Sequence, residues 1–291
     1  MKSISAEKNG FAQQNLPKLV FSFFFLWVNS GFFFYSSGKY ITSQYPQEWL
    51  GAIIGEVAFM WTMGIIFKSA RTSRYLPIQS VLVIAGLFTS ILYFNSVNQV
   101  PLVISIYLAV TWGLYIFWYS DFTPFERDPL KVGNKLPVFT LKGIDGQPVS
   151  SIDFIGKKAL FLFYRGNWCP LCMTQIKELA GKYKELEERG VVVNLVSTQP
   201  EKFTRSLAKK HGLRFNFLID EDAKVALALN IHQKNIVPLG MQILGHSLDG
   251  VTPTILITDK VGAIIFSEIA DNYRIRPEPD TFLKVLDEHG N

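Results

Sequence analysis

From Tyr75 to Ser120 the chain runs for 46 residues without a charged side chain. A helix needs about 20 mainly apolar residues to cross the hydrocarbon core of a bilayer, so this stretch is too long for one span. It breaks at Asn95-Ser-Val-Asn-Gln-Val-Pro101, which predicts spans near 78–94 and 101–119. Two further segments qualify: Leu19 to Tyr35 carries no charge, and Leu50 to Phe67 carries only Glu56. None of the four shows the polar face that a helix on a soluble core needs. Tyr45, Trp49, Tyr75, Trp118 and Tyr119 fall at span ends, where aromatic rings favour the interface. Residues 1–120 therefore read as an α-helical membrane domain of four transmembrane helices. The first span reads as a retained helix, because its apolar run is long, no small-x-small cleavage site follows, and three more spans come after it.

Charge separates the two halves. Residues 1–120 hold ten of the 53 Asp, Glu, Lys and Arg residues, and the net charge of +5 divides into about +4 and +1. No basic stripe with interleaved aromatics occurs, which argues against nucleic acid as a partner. Lys2, Lys8 and Lys18 precede the first span, and Lys68, Arg71 and Arg74 lie in the second loop. Arg127, Lys131 and Lys135 follow the last span, whereas the first loop has only Lys39 and the third none. By the positive-inside rule the N-terminus and the C-terminal half share the cytoplasmic side of the plasma (inner) membrane. An even number of spans demands the same grouping. Glu56, the one ionisable group within a span, lies beside the small-xxx-small pair Gly51 and Gly55. It is either a structural hydrogen-bonding group or one that handles a proton or ligand.

Residues 121–131 carry two prolines and mixed charge and read as a linker, and 132–291 read as a compact α/β domain. Strands are expected at Ala159 to Tyr164, Val191 to Ser197, Phe215 to Ile219, Thr254 to Thr258 and Gly262 to Glu268, the last two as a hairpin. Helices are expected from Met173 to Leu186 with Gly190 as its stop, from Glu201 to Lys210, and from Pro279 to Glu288. This order of elements is that of a thioredoxin-like fold. The scattered histidines and the two cysteines offer no metal-ligand set, and the sequence asks for no cofactor.

The two cysteines form Cys169-Pro170-Leu171-Cys172, where the first strand of that core hands over to a helix. Pro170 suits the first helical position, which puts Cys169 at the N-cap. There the free backbone N–H groups and the positive dipole end favour a thiolate. Cys172 lies one turn further on, within reach of a disulfide. A metal half-site or two cysteines that merely meet in a core are the plainer readings of such a pair; the strand before it and the amphipathic helix after it favour thiol redox chemistry. Arg165 either adds positive potential or is an ordinary surface residue, and Trp168 covers the sulfur. Thr252 and Pro253, at the entry to the strand Thr254 to Thr258, stand where a thioredoxin fold has its cis-proline, the plainer reading being an ordinary trans proline at a strand start; they complete the expected substrate-binding set.

Several segments carry a family resemblance. Val132-Gly-Asn-Lys-Leu-Pro-Val-Phe-Thr-Leu141 and Asp145-Gly-Gln-Pro-Val149 resemble the opening of the alkyl hydroperoxide reductase and thiol-specific antioxidant family. Phe163-Tyr-Arg-Gly-Asn-Trp-Cys-Pro-Leu-Cys172, Ser197-Thr-Gln-Pro-Glu201 and Asp271-Asn-Tyr-Arg-Ile-Arg-Pro-Glu-Pro279 are similar to its peroxiredoxin-like subgroup. The resemblance spans about residues 132–288, and none is found for the four spans. It implies an antioxidant oxidoreductase with Cys169 as the peroxidatic and Cys172 as the resolving cysteine, joined in a redox disulfide, with a hydroperoxide substrate and a thioredoxin-like reductant. Gly166 and Leu162 depart from the family pattern, which places a threonine and a proline there. Two rival readings remain open: a protein thiol–disulfide oxidoreductase, and a transporter or sensor regulated by its redox domain. The lipid bilayer is a partner in all three.

The topology is tested by fusion. A reporter placed after Asn291 should behave as cytoplasmic, and a periplasmic or extracellular signal from that fusion refutes the assignment.

Overall fold

The computed structural model describes residues 3–122, 128–211 and 214–289. Residues 123–127 of the expected linker, with Arg127, lie outside the described residues, as do Lys2 and Asn291.

The N-terminal half is four apolar helices: α1 (Ser3–Thr42), α2 (Leu50–Ile66), α3 (Pro77–Leu92) and α4 (Val100–Leu114), the last continued by a π-turn at Tyr115–Tyr119. Three stretches, Leu16–Thr42, Pro46–Ile66 and Val100–Tyr119, are long and apolar enough to cross a membrane. The third expected span, near 78–94, forms as the shorter α3 of 16 residues, started by Pro77 and ended at Tyr93. The bundle exposes large apolar side chains, and a few polar groups lie buried within its apolar core. Trp27, Phe34, Ile84, Val103 and Phe117 are exposed, whereas Asn29, Glu56, Thr62, Ser90 and Ser105 are buried. Ser90 and Ser105 share a hydrogen bond of 2.7 Å, and Asn95 and Asn98 in the α3–α4 loop donate to the two oxygens of Glu48 at 2.9 and 2.8 Å. Glu56 has no hydrogen-bond partner on either oxygen among the described residues.

Glycines set the close approach of α2 to α3. A Cβ on Gly86 would lie 2.6 Å from Gly51 O and 2.7 Å from Gly55 N, and one on Gly51 would strike Gly86 O and Ser90. The small-xxx-small pair is thus a packing surface.

The C-terminal half is one seven-stranded sheet in the order β2-β1-β5-β4-β3-β8-β9. Its strands are β1 (Thr140–Gly143), β2 (Pro148–Ser150), β3 (Lys158–Phe163), β4 (Val191–Ser197), β5 (Asn216–Ile219), β8 (Thr254–Thr258) and β9 (Ile264–Ile269), with a separate ribbon of β6 (His232–Gln233) and β7 (Gly250–Val251). Strands β3, β4 and β5 are parallel; β8 runs antiparallel to β3, and β9 to β8. Every residue of β3 and β8 is buried, as continuous apolar runs in a two-sided sheet require. The helices are α5 (Pro170–Gly181), α6 (Tyr183–Glu188), α7 (Glu201–His211), α8 (Lys224–Ala228) and α9 (Pro279–Glu288). This is a thioredoxin-like fold. The single helix expected from Met173 to Leu186 is two, because the chain leaves helical geometry at Lys182 (φ −99, ψ 13) just after Gly181. Gly190 closes the second with φ +67. The β1–β2 hairpin and the β6–β7 ribbon were not foreseen from periodicity, since their strands are only two to four residues long.

The halves share apolar packing. Ile66 at the end of α2 belongs to the same buried cluster as Leu162, Cys169, Cys172 and Ile255, with Met63 against it.

Gly86→Val should overpack the α2–α3 contact at a cost of about 1–3 kcal/mol. Thermal unfolding of the full chain in detergent should show a lowered midpoint; an unchanged midpoint contradicts the contact.

Candidate active site

The site is built by the exit from β3. Tyr164 N–H still pairs with Val196 O at 2.9 Å, and the chain then turns through Arg165, Gly166, Asn167 and Trp168. Gly166 has φ +145, and a Cβ there would lie 2.6 Å from Trp168 Nε1. The turn is held from outside: Asn167 N–H donates to Gln199 Oε1 at 2.8 Å. Gln199 Nε2 in turn donates to Tyr164 OH and Thr204 Oγ1, both at 3.1 Å. Cys169 has extended backbone angles (φ −91, ψ 106) and caps α5, with Pro170 next and its sulfur accepting from Cys172 N–H at 3.4 Å. The geometry is that of an N-cap, with sulfur in the usual place of oxygen.

Cys172 Sγ donates to Cys169 Sγ at 2.7 Å, and the two residues are 0% and 3% exposed. Burial pushes both thiols up. At Cys169 it is outweighed by the Cys172 S–H hydrogen bond, the guanidinium charges of Arg165 and Arg276, and the Cys172 N–H, which together bring the thiol down to about 6. At Cys172 nothing outweighs it: burial, the hydrogen bond it donates and the negative charge on Cys169 all push its thiol well up. One sulfur holds the charge and its neighbour holds the proton.

Arg165 is buried, not an ordinary surface residue. Its Nη2 donates to Ile236 O at 2.6 Å, and its guanidinium lies 4.7 Å from the Trp168 ring centroid. Trp168 packs against the cluster that contains Cys169. Among the described residues, Arg165 Nε, Trp168 Nε1, and Arg276 Nε and Nη2 are buried donors without a partner. A cavity of about 30 Å³ beside Arg165 is bounded by Lys18, Ser22, Tyr119, Ile236 and Tyr273, room for roughly one water molecule.

Thr252 and Pro253 precede β8, whose register with β3 pairs Thr254 with Phe163. They therefore follow at the level of Tyr164 and Arg165. The expected cis peptide is absent: no cis bond occurs among the described residues. Thr252 N–H donates to Ile231 O at 2.8 Å and Pro253 O accepts from Ala270 N–H at 3.0 Å, so both flanking groups are committed to extended pairing. Thr252 Oγ1 is buried without a partner among the described residues.

Sequence reasoning missed Arg276 and Tyr119 as neighbours of the sulfur, and Gln199 as the residue that holds the turn before it. Arg276 is buried, with Nη1 donating to Asn272 O at 3.0 Å and Ile275 O at 2.6 Å. Tyr119, at the end of the helical half, lies within electrostatic reach of Arg165 and Cys169. Arg276 and Gln199 sit in segments singled out for their resemblance; two arginines and two prolines within Asp271 to Pro279 were the available signal. Among the described residues no group of three or more His, Cys, Asp or Glu gathers as a metal would need.

Residues 132–267 match the model of the AhpC/TSA family. Peroxiredoxin Bcp of Escherichia coli K12 is 32% identical over 163 residues, 56% of this chain and 99% of that protein. Thiol-disulfide oxidoreductase ResA of Bacillus cereus is 24% identical over 158 residues, 54% of this chain and 78% of that protein. The crystal structure of peroxidoxin BcpB from Mycobacterium tuberculosis aligns with a TM-score of 0.46 at 19% identity, covering 54% of this chain and 97% of that one. Through its C-terminal half this chain belongs to the AhpC/TSA family and is an oxidoreductase of the peroxiredoxin and thiol–disulfide oxidoreductase type.

Proposed function

We propose that the protein is a membrane-anchored peroxiredoxin that reduces hydroperoxides through a Cys169–Cys172 dithiol–disulfide cycle. The observation that carries this reading is the split of the pair: a buried Cys169 sulfur at the N-cap of α5, lowered in pKa, beside a Cys172 that keeps its proton and donates it to that sulfur. The Cys169 thiolate attacks the terminal oxygen of the hydroperoxide, and the O–O bond breaks. The remaining alkoxide takes a proton and leaves as the alcohol, so Cys169 becomes a sulfenic acid. Cys172 then attacks that sulfur, water leaves, and the intramolecular disulfide forms. A thioredoxin-like dithiol returns both thiols, consistent with the peroxiredoxin relatives. Arg165, Trp168 and Arg276 offer unpartnered donors for the peroxide oxygens, and Thr252 and Pro253 wall the site. Burial of Cys169 favours a small peroxide over a protein disulfide, which needs an accessible sulfur. Thiol–disulfide exchange remains the competing chemistry.

The anchoring reading divides the chain at 1–120, 121–131 and 132–291. It rests on the three long apolar stretches and on a bundle with its polar groups inside. A lipid bilayer is the solvent that suits such a surface. The Lys and Arg distribution favours a multi-pass protein of the plasma (inner) membrane, with the N-terminus and the redox half cytoplasmic.

Alkylation of Cys169 should follow a single titration with a midpoint near 6, the rate rising with pH as the thiolate forms, and Cys172 should resist until far higher pH. Equal midpoints refute the division of roles. Given peroxide, the wild-type protein should form the Cys169–Cys172 disulfide, and thioredoxin should reduce it. Cys172→Ser should stop at sulfenic acid or over-oxidise, and Cys169→Ser should barely react. A Cys172→Ser variant that instead accumulates mixed disulfides with proteins, with peroxide reacting no faster than with a free thiol of similar pKa, assigns disulfide exchange in its place.

A further inference from the structure

The segment between β9 and α9 is fastened to the ends of the helical bundle. Phe122 N–H donates to Asp271 O at 2.7 Å, Tyr273 N–H to Ser120 O at 3.1 Å, and Thr72 N–H to Arg274 O at 2.9 Å. Tyr273 and Tyr115 share a hydroxyl–hydroxyl hydrogen bond. Arg274 is 0% exposed, and its guanidinium is committed to the bundle. Its Nε donates to Ser120 Oγ at 2.9 Å, Nη1 to Thr72 Oγ1 at 3.0 Å and Ser73 O at 2.9 Å, and Nη2 to Arg74 O at 2.8 Å. It also lies 5.2 Å over the Tyr115 ring. Arg71, from the α2–α3 loop, grips the next residues. Its Nε donates to Arg276 O at 3.1 Å and its Nη2 to Pro277 O at 3.3 Å, while it pairs with Glu178 on α5.

This is more fastening than docking requires, since Ile66 and Met63 already pack into the core around the cysteines. Its target is specific. The second grip takes hold of Arg276 itself, two residues after Arg274, and the charge of Arg276 acts on both sulfurs. We infer that Arg274 and Arg71 are positioning residues through which the helical half holds the Arg276 guanidinium beside Cys169 and Cys172. The inference rests on the proposed role of Cys169 as the reactive thiol. Four groups with charge or titratable protons face that sulfur among the described residues: Cys172 from α5, Arg165 from the turn after β3, Arg276 from the fastened segment, and Tyr119 from the end of the bundle. Loosening the segment withdraws one of two cations and leaves the others in place. The helical half thereby becomes part of the redox site, and any strain or ligand that moves its α2–α3 loop changes the reactivity of the thiol.

The test uses the full chain in detergent or vesicles and follows the pH profile of Cys169 alkylation. Arg276→Gln should raise the midpoint. Arg274→Gln should raise it too, and so should the double variant Thr72→Val and Ser120→Ala, which touches only the bundle side. With the midpoint up by about one pH unit, alkylation below it slows on the order of tenfold. Arg274→Lys, which keeps the charge but not the planar fork, should not restore the profile. If Arg274→Gln does not fold, the Thr72 and Ser120 pair decides the matter. A raised midpoint for Arg276→Gln with wild-type midpoints for the bundle-side variants overturns this inference alone. A wild-type midpoint in the ordinary thiol range overturns the role of Cys169, and this inference with it.

Discussion

A sulfur placed at the first turn of a helix, out of contact with water, is the constraint on which the site depends. Burying an ionised group without compensation is very costly, so a buried thiolate exists only where donors and positive charge converge on it. At Cys169 they come from three places in the chain: the N–H and S–H of Cys172, Arg165 from the turn, and Arg276 from the segment between β9 and α9. At Cys172, three positions on, the same burial wins, because its nearest neighbour is the negative sulfur it serves. The sheet makes the convergence possible. Fully paired β3 ends at a fixed height between β4 and β8, so the turn that follows has one place to go.

The departures from the family pattern have a structural account. Gly166 stands where a threonine is usual, in a backbone conformation that side chains rarely adopt, and the indole of Trp168 fills the space a Cβ would need. Trp168 Nε1 is itself a buried donor without a partner among the described residues. The same ring stacks on Arg165. Leu162 stands where a proline is usual, inside β3, and contributes to the apolar cluster around the cysteines. A strand interior needs its N–H groups for the ladder, and Leu162 supplies one opposite Leu195 and Ile255.

The helical half obeys the opposite packing rule. Many of its large apolar side chains face outward around a core that is itself largely apolar, and a few polar groups are buried among them, Ser90 and Ser105 paired with each other. At the loops nearest the C-terminal half it turns charged and meets that half through Arg71 and Arg74. A buried Arg274 is tolerable because four acceptors meet its guanidinium, and removing one side of so buried a network costs about 3–5 kcal/mol. Lys18, Ser22 and Tyr119 bring the same half to the rim of the cavity beside Arg165.

Long apolar runs and helical periodicity made most elements legible. Val191–Ser197, Thr254–Thr258 and Pro279–Glu288 have the boundaries read from the sequence. The N-cap position of Cys169 followed from Pro170 alone. Short strands such as Pro148–Ser150 were not legible, because three residues carry no period. The order of elements points to a cis bond before Pro253, and no cis bond occurs among the described residues. By itself the sequence determined that one half is apolar on every face, that the other is a sheet of buried strands, and that a cysteine pair starts a helix between them. These are local properties, set by hydrophobicity, periodicity and backbone preference within a few residues. Only the tertiary structure decided that Arg276 and Arg165 acidify Cys169, that Trp168 occupies the place beside Gly166, and that Arg274 locks into the ends of the bundle. Electrostatic energy depends on distance and burial in space, and neither is written in the spacing of residues along the chain.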